Sequence, residues 1–274
     1  MDLTERPLPG GNVGGAVRVG DTVRRPTGPW TPAVHTLLRH LEAAGFTASP
    51  RVRGIDDRGR EILTYLQGET VGDAELWPAW TRDDRTLHQV GRLLADYHRA
   101  VAGFDPPAGA AWRFTDRPLA AGEVICHNDC APYNVVWNER RIAGLFDWDV
   151  AGPGDPLQDV AFAAWQWVPL HEPAQREPGW DRPPDVARRV HLLAEGYGLA
   201  PGARPAFVEM IPARMRMSVE RIAAGAEAGD PGLARLRDRG YLDDMRRSVA
   251  YVESILPSLR SALVPTADRP EGSS

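Results

Sequence analysis

The chain has 274 residues, 43% of them hydrophobic and 25% charged, the composition of a soluble globular protein long enough to bury a sizeable core. Its net charge of −5 argues against a general nucleic-acid binder, which needs a basic surface, but leaves room for a local basic pocket that takes a nucleotide. Two cysteines give no disulfide framework, no long apolar run suits a membrane span, and the opening MDLTERPLPGG lacks a basic-then-apolar leader, so a cytoplasmic protein is expected.

Residues 10–25 read GGNVGGAVRVGDTVRR. Ala16–Val19 and Thr22–Arg25 flank a Gly20-Asp21 turn, which predicts a hairpin, and the glycines ahead of it allow backbone to approach a ligand. A plain surface hairpin explains the same residues. Helical spacing of Val34, Leu37, Leu38 and Leu41 predicts a helix over 32–44, stopped by Gly45. Strands follow over 51–55 and 60–66, joined by Asp56-Asp57-Arg58-Gly59. The result is a small sheet of four or five strands with one helix.

Near Gln67–Val71 the texture changes. Leu87, Val90, Gly91, Leu94, Tyr97, His98 and Val101 make one helix face. A second hairpin is predicted from Val135–Trp137 and Ile142–Phe146, and helices over 159–168, 184–197, 204–228 and 240–262. These divisions set an N-terminal lobe at 1–68, a larger lobe at 69–264 and a polar tail at 265–274, an α+β architecture with a β-rich front and a helical back.

Within the larger lobe lies CHNDCAPYN (126–134), followed by LFDWD (145–149). Asp129 and Asn134 share a loop just ahead of the second hairpin, and Asp147 ends that hairpin's second strand. The two ends of a hairpin lie together, so Asn134 and Asp147 can converge. Their oxygens suit a hard cation such as Mg²⁺. Asp129 is then free to orient an attacking hydroxyl. With the 10–25 hairpin as a cover and an Arg on its second strand as a phosphate clamp, these are the parts of phosphoryl transfer. The bland alternative makes the three residues loop caps and turn formers. Cys126, Cys130 and His127 raise zinc, but no second Cys/His cluster completes four ligands, and two buried thiols are the simpler reading.

His127-x-Asp129-x4-Asn134 followed by Leu145-Phe146-Asp147-Trp148-Asp149 resembles the aminoglycoside phosphotransferase family, within the protein-kinase-like fold. The Gly10-Gly11-Asn12 opening, the hinge-like Tyr65-Leu66-Gln67-Gly68-Glu69, Tyr97-His98 and Gly154-Asp155-Pro156, with Asp159 following, extend the resemblance over roughly residues 8–165. It implies a bilobed kinase-like fold and ATP as phosphate donor. Asp129 would be the catalytic Asp and His127 a brace for its loop. Asn134 and Asp147 would bind Mg²⁺, and Asp149 would hydrogen-bond within its loop. Gly10, Gly11, Asn12 and Arg24 would take the phosphates, and the backbone of Tyr65, Leu66 and Gln67 the adenine.

Two departures stand out. The strand that carries the family's Lys reads Thr22-Val23-Arg24-Arg25, with Arg24 aligning best and Arg25 on the opposite face. The helix that supplies its Glu partner offers only Glu42, near the wrong end, with Val34 and His35 in the expected zone. The expected function is transfer of the γ-phosphate of Mg-ATP to a small-molecule hydroxyl, with the acceptor open among aminoglycosides, other antibiotics, amino alcohols and sugars. The departures motivate a second hypothesis, a nucleotide-binding pseudokinase serving as an immunity or interaction protein. Trp148, Trp165, Trp167 and Trp180 either pack the core or line a pocket for a ring-bearing substrate. Glu195, Glu209, Glu220 and Glu227, and the Arg214–Met217 run, read as helix faces.

Overall fold

The hairpin forms as Val17–Val19 (β2) and Thr22–Arg25 (β3), with Gly20 at φ 60° in the turn, and Arg6–Pro7 (β1) adds along β2. Val52–Ile55 (β4) and Glu61–Thr64 (β5) complete an antiparallel sheet of order β1-β2-β3-β5-β4. The computed structural model describes residues 4–9, 15–176, 178–180 and 182–263, so Gly10, Gly11 and Asn12 lie outside the described residues. The register between β3 and β5 sets Arg24 opposite Ile62 and Arg25 opposite Glu61.

Under this sheet lies the helix Thr31–Ala43 (α1), which buries Val34, Leu37, Leu38 and Leu41. Gly45, at φ 77°, turns the chain out of it, and the Phe46 N–H returns to the Leu41 carbonyl at 2.9 Å, satisfying a carbonyl the helix leaves open. The hinge then runs onto the second lobe. The Glu69 N–H donates to the Trp137 carbonyl at 2.7 Å and the Trp137 N–H returns to Glu69 at 2.8 Å. Gly68, at φ 149°, has the Trp137 backbone where a Cβ would stand, so only glycine lets the hinge lie this close.

The second lobe is built on helices. Asp84–Val101 (α2) is capped by Asp83, whose carboxylate accepts from the Arg85 N–H at 2.8 Å. All seven residues of its predicted apolar face are buried. Then come the short strand Val124–Cys126 (β6), the hairpin Val135–Asn138 (β7) with Arg141–Leu145 (β8), and Gly152–Gly154 (β9), which pairs antiparallel with β6. Helices follow at Pro156–Trp167 (α3), Val186–Tyr197 (α4), Arg204–Glu227 (α5), Pro231–Asp238 (α6) and Tyr241–Leu263 (α7). Helices α2 and α4 cross where Gly91 meets the α4 backbone and Gly196 meets the His88 carbonyl, with no room for a Cβ at either. Tyr97 sits between Phe46 and Trp148 at ring distances of 5.8 and 5.1 Å, tying the lobes' apolar cores together. The architecture is α+β and bilobed, as the residues predicted. Among the described residues no helix is long and apolar enough to cross a membrane.

Candidate active site

The loop between β6 and β7 carries His127, Asp129 and Asn134. A 3₁₀ turn over Pro132–Asn134 closes it, and the Phe146 N–H donates to the Asn134 carbonyl at 2.9 Å. That bond brings the start of the 145–149 segment against Asn134, so Asn134 and Asp147 converge as expected of the two ends of a hairpin. Asn134 Nδ2 donates to the Asp129 carboxylate at 2.8 Å and to its carbonyl at 2.9 Å. The amide is thereby turned with its nitrogen on Asp129. The Tyr133 hydroxyl donates to the other Asp129 oxygen at 3.2 Å. Burial, reinforced by the like charge of Asp147, pushes the Asp129 carboxyl up to about 7.

His127 is fully buried. Its Nδ1 accepts from the Asp129 N–H at 3.2 Å, so Nε2 carries the proton and donates to the Phe146 carbonyl at 3.1 Å. Burial holds its pKa below the ordinary value, leaving the ring neutral. It ties the Asp129 loop to the residue before Asp147.

Two residues without a role in the sequence reading hold this loop. Asp159, on α3 and wholly buried, accepts from the backbone N–H groups of His127 at 2.7 Å and Asn128 at 2.6 Å, and from His98 Nε2 at 3.1 Å. Burial works to raise its pKa, but these donors outweigh it and hold the carboxyl below the usual range. Arg214, on α5, donates to the Asn128 carbonyl at 2.9 Å and lies over the Phe162 ring at 4.8 Å. Asn128 itself sits at φ 67° and Asp147 at φ 61°, left-handed conformations that a non-glycine residue adopts at a cost. Both strained residues belong to the two motif segments.

The first lobe reaches this cluster through Arg25. Its Nη2 donates to Asp147 Oδ1 at 2.9 Å and to Asp149 Oδ2 at 2.7 Å. Glu61, its cross-strand neighbour, lies 3.7 Å from Arg25 Nε and accepts from His35 Nε2 at 2.9 Å. Both Glu61 and His35 are buried. Arg24 instead points away from the cluster. It donates to Thr22 Oγ1 at 2.5 Å and lies 3.8 Å from Asp56. Strand alternation separates the two arginines as expected, but it is Arg25, not Arg24, that faces Asp147. Glu42 pairs with Arg51 at 3.9 Å, far from this network.

The hinge residues lead from β5 to the second lobe. Tyr65 donates its N–H to the Asp21 carbonyl at 2.7 Å and lies under the Arg18 guanidinium at 3.8 Å. Leu66 packs on Gly144 of β8, and Gln67 is exposed. Cys126 and Cys130 are buried free thiols, and burial pushes both up, so they stay protonated. Among the described residues no three His, Cys, Asp or Glu side chains are grouped to hold a metal. A cation that keeps waters and substrate phosphates in its shell needs fewer protein ligands, and an amide oxygen with a half-exposed carboxylate, as at Asn134 and Asp147, is a donor set of that kind.

The Phosphotransferase enzyme family matches residues 108–191, which include the Asp129 loop, Asp147 and Asp159. The trifolitoxin immunity protein of Rhizobium leguminosarum bv. trifolii is 38% identical over 210 residues, covering 74% of this chain and 78% of that protein. Among solved structures, a choline/ethanolamine kinase family protein from Mesorhizobium loti superposes with a TM-score of 0.55 at 18% identity, over 94% of this chain and 88% of that one. The amicoumacin kinase in complex with AMP-PNP, Ca²⁺ and amicoumacin gives 0.55 at 12% identity, over 96% and 90%. The gentamicin–APH(2″)-IIa complex gives 0.52 at 13%, over 91% of each chain. The sequence match over most of a relative, the family match across the motif loop and the shared fold together show that the chain belongs to the aminoglycoside phosphotransferase family.

Proposed function

We propose that the chain transfers the γ-phosphate of ATP to a hydroxyl of a small molecule. The observation that carries this is the convergence of Asp129, Asn134 and Asp147, with Arg25 reaching in from the opposite lobe. Asp129 orients the acceptor hydroxyl and takes its proton as the oxygen attacks phosphorus. Tyr133 and Asn134 fix the carboxylate's direction, and the buried network on Asp159 and Arg214 fixes the loop. Asn134 and Asp147 would hold Mg²⁺, which supplies charge neutralisation at the phosphates when bound.

Arg25 takes the part expected of Arg24 and clamps phosphate oxygens. The family's helix Glu is replaced by Glu61 on β5, and α1 contributes His35 behind it. An Arg at this position keeps the charge and offers a fork of donors to the phosphate. The backbone of Tyr65–Gln67 faces the adenine. Catalysis then rests on positioning and electrostatic stabilisation.

A second reading is favoured by the name of the 38%-identical relative, an immunity protein, and by the Arg in place of the family's Lys. In it the chain binds nucleotide without turnover and protects by binding. Mg-ATP consumption by wild type and Asp129→Ala, across aminoglycosides, peptide antibiotics, macrolides, sugars and amino alcohols, separates the two. Acceptor-dependent ADP release by the wild type alone supports the kinase. Tight ATP binding with no release on any acceptor supports the second reading.

A further inference from the structure

Beside Asp129 lies a cavity of about 270 Å³. The loop that carries Asp129 forms its floor through Pro132 and Tyr133. Tyr133 is 37% exposed, and its hydroxyl is the one bonded to Asp129, so whatever lies on its ring lies next to the proposed base. The walls are aromatic. Trp77 meets Tyr133 edge-on at 6.3 Å, Trp165 and Trp167 come from the end of α3, Trp180 from the loop before α4, and Tyr241 from the start of α7. These rings are fixed before any ligand arrives. The Trp167 N–H donates to the Cys130 carbonyl at 3.0 Å, and the Arg189 guanidinium lies over Trp180 at 4.9 Å.

The charges on this cavity are few and already engaged. Among the described residues its one carboxylate is Asp244, which is ion-paired with Arg247. Its one permanent cation among them is Arg82, which donates to the Trp77 carbonyl at 2.9 Å. His171, whose ring is tilted against Trp165 at 5.7 Å, is neutral at physiological pH, because burial and the nearby Arg176 push its pKa down to about 4. A polyamine brings several ammonium groups out of water, and each needs a carboxylate to offset its desolvation. This lining does not supply them. A flat ring needs aromatic faces and edges, and the lining supplies those. A cavity of about 150 Å³ suffices for one benzene ring, so this one has room for a ring system of one to two rings.

We infer that this cavity is the acceptor site and that it takes a ring-bearing hydroxyl compound of low positive charge, held between Tyr133, Trp180 and Tyr241, in preference to a polycationic aminoglycoside. The inference rests on the phosphotransferase reading only for the word acceptor; the ligand class comes from the lining. A bound ring would place a hydroxyl substituent over Tyr133 and within the reach of Asp129.

Saturation-transfer NMR on the full chain without nucleotide would test it, with 4-fluorobenzyl alcohol and 2-naphthalenemethanol as probes and kanamycin as the polycation. Both aryl alcohols should bind the wild type, and Trp180→Ala and Tyr241→Ala, each checked for native circular dichroism, should weaken them by about tenfold. Kanamycin should show no saturable binding. Kanamycin binding tighter than both aryl alcohols, or aryl alcohols that bind neither wild type nor variants, would overturn the inference. So would aryl-alcohol binding that neither substitution weakens. ADP release under Mg-ATP is read separately. Aryl alcohols that bind in the cavity yet never elicit ADP leave the ligand class standing and count against phosphoryl transfer.

Discussion

The loop carrying Asp129 and the strand carrying Arg25 face each other across the cleft, but they are held by different means. The loop is fixed through its backbone, by buried groups on two helices. Asp159 takes two of its N–H groups and Arg214 one of its carbonyls. The backbone of Arg25 is held in the β3–β5 pairing, but its guanidinium, the part that reaches the other lobe, is held only by three carboxylates, two of them on that lobe. Backbone-anchored residues keep their geometry whatever occupies the cleft. A side chain shared between Glu61 behind it and Asp147 and Asp149 ahead of it can exchange partners when phosphates enter. In the proposed function the rigid half carries the group that meets the reacting hydroxyl, and the adjustable half carries the clamp.

Removing Asp159 should break the rigid half most severely. Asp159→Ala leaves His98 and two buried N–H groups without their acceptor and should cost about 3–5 kcal/mol of stability, read by urea unfolding. A loss under about 1 kcal/mol would mean the loop is held elsewhere. The acid side comes from the same residue. Its folded pKa lies below the unfolded value of about 3.9, so its contribution is complete above that pH and drains away as pH falls through the folded pKa. Wild-type stability should therefore fall more steeply below about pH 4 than that of Asp159→Ala.

The adjustable half should show itself in turnover rather than stability. Arg25→Ala should lower kcat/KM for ATP by about 10²–10³, the scale of losing one positioned charge donor. Arg24→Ala, one residue away on the other face, should change it by less than about threefold, because its ion pair at 3.8 Å is weak. The reverse order would restore Arg24 as the clamp. Smaller still, Glu61→Gln should raise KM for ATP by about tenfold with kcat less affected, since it only positions Arg25. Equal loss of thermal stability and activity in Glu61→Gln would assign Glu61 to packing instead.

The same contrast explains what could be read from the residues. His127, Asp129, Asn134 and Asp147 are linked by short spacings and one hairpin, so their convergence was legible. Strand alternation separated Arg24 from Arg25 but could not say which faced the cleft. That depends on the β3–β5 register, set by residues 36 positions apart. Glu61 is hidden in the sequence for the same reason, although His35 lies in the zone where the family's helix Glu is expected. Asp159 stands in the motif pattern after Gly154-Asp155-Pro156, but its role is hidden, because it acts on backbone atoms more than 30 residues away. The Arg214–Met217 run has the pattern of an amphipathic face, but Arg214 is buried against Asn128 while Arg216 is exposed and paired with Glu253. Strand β9 reads Gly-Pro-Gly, a sequence with no strand propensity, and forms only because β6 offers it an edge. Trp148, Trp165 and Trp167 are all buried in the core, and Trp165 and Trp167 also edge the cavity with Trp180, a distinction that periodicity does not encode.

The most direct measurement is of Asp129→Asn, which keeps the side chain's size and its place beside Tyr133 and Asn134 but removes the charge that accepts a proton. With an acceptor identified, kcat should fall by about 10²–10⁴ while the Kd for ATP stays within about twofold of wild type. Parallel losses in kcat and in nucleotide affinity would mean that Asp129 supports the loop and does not act on the hydroxyl.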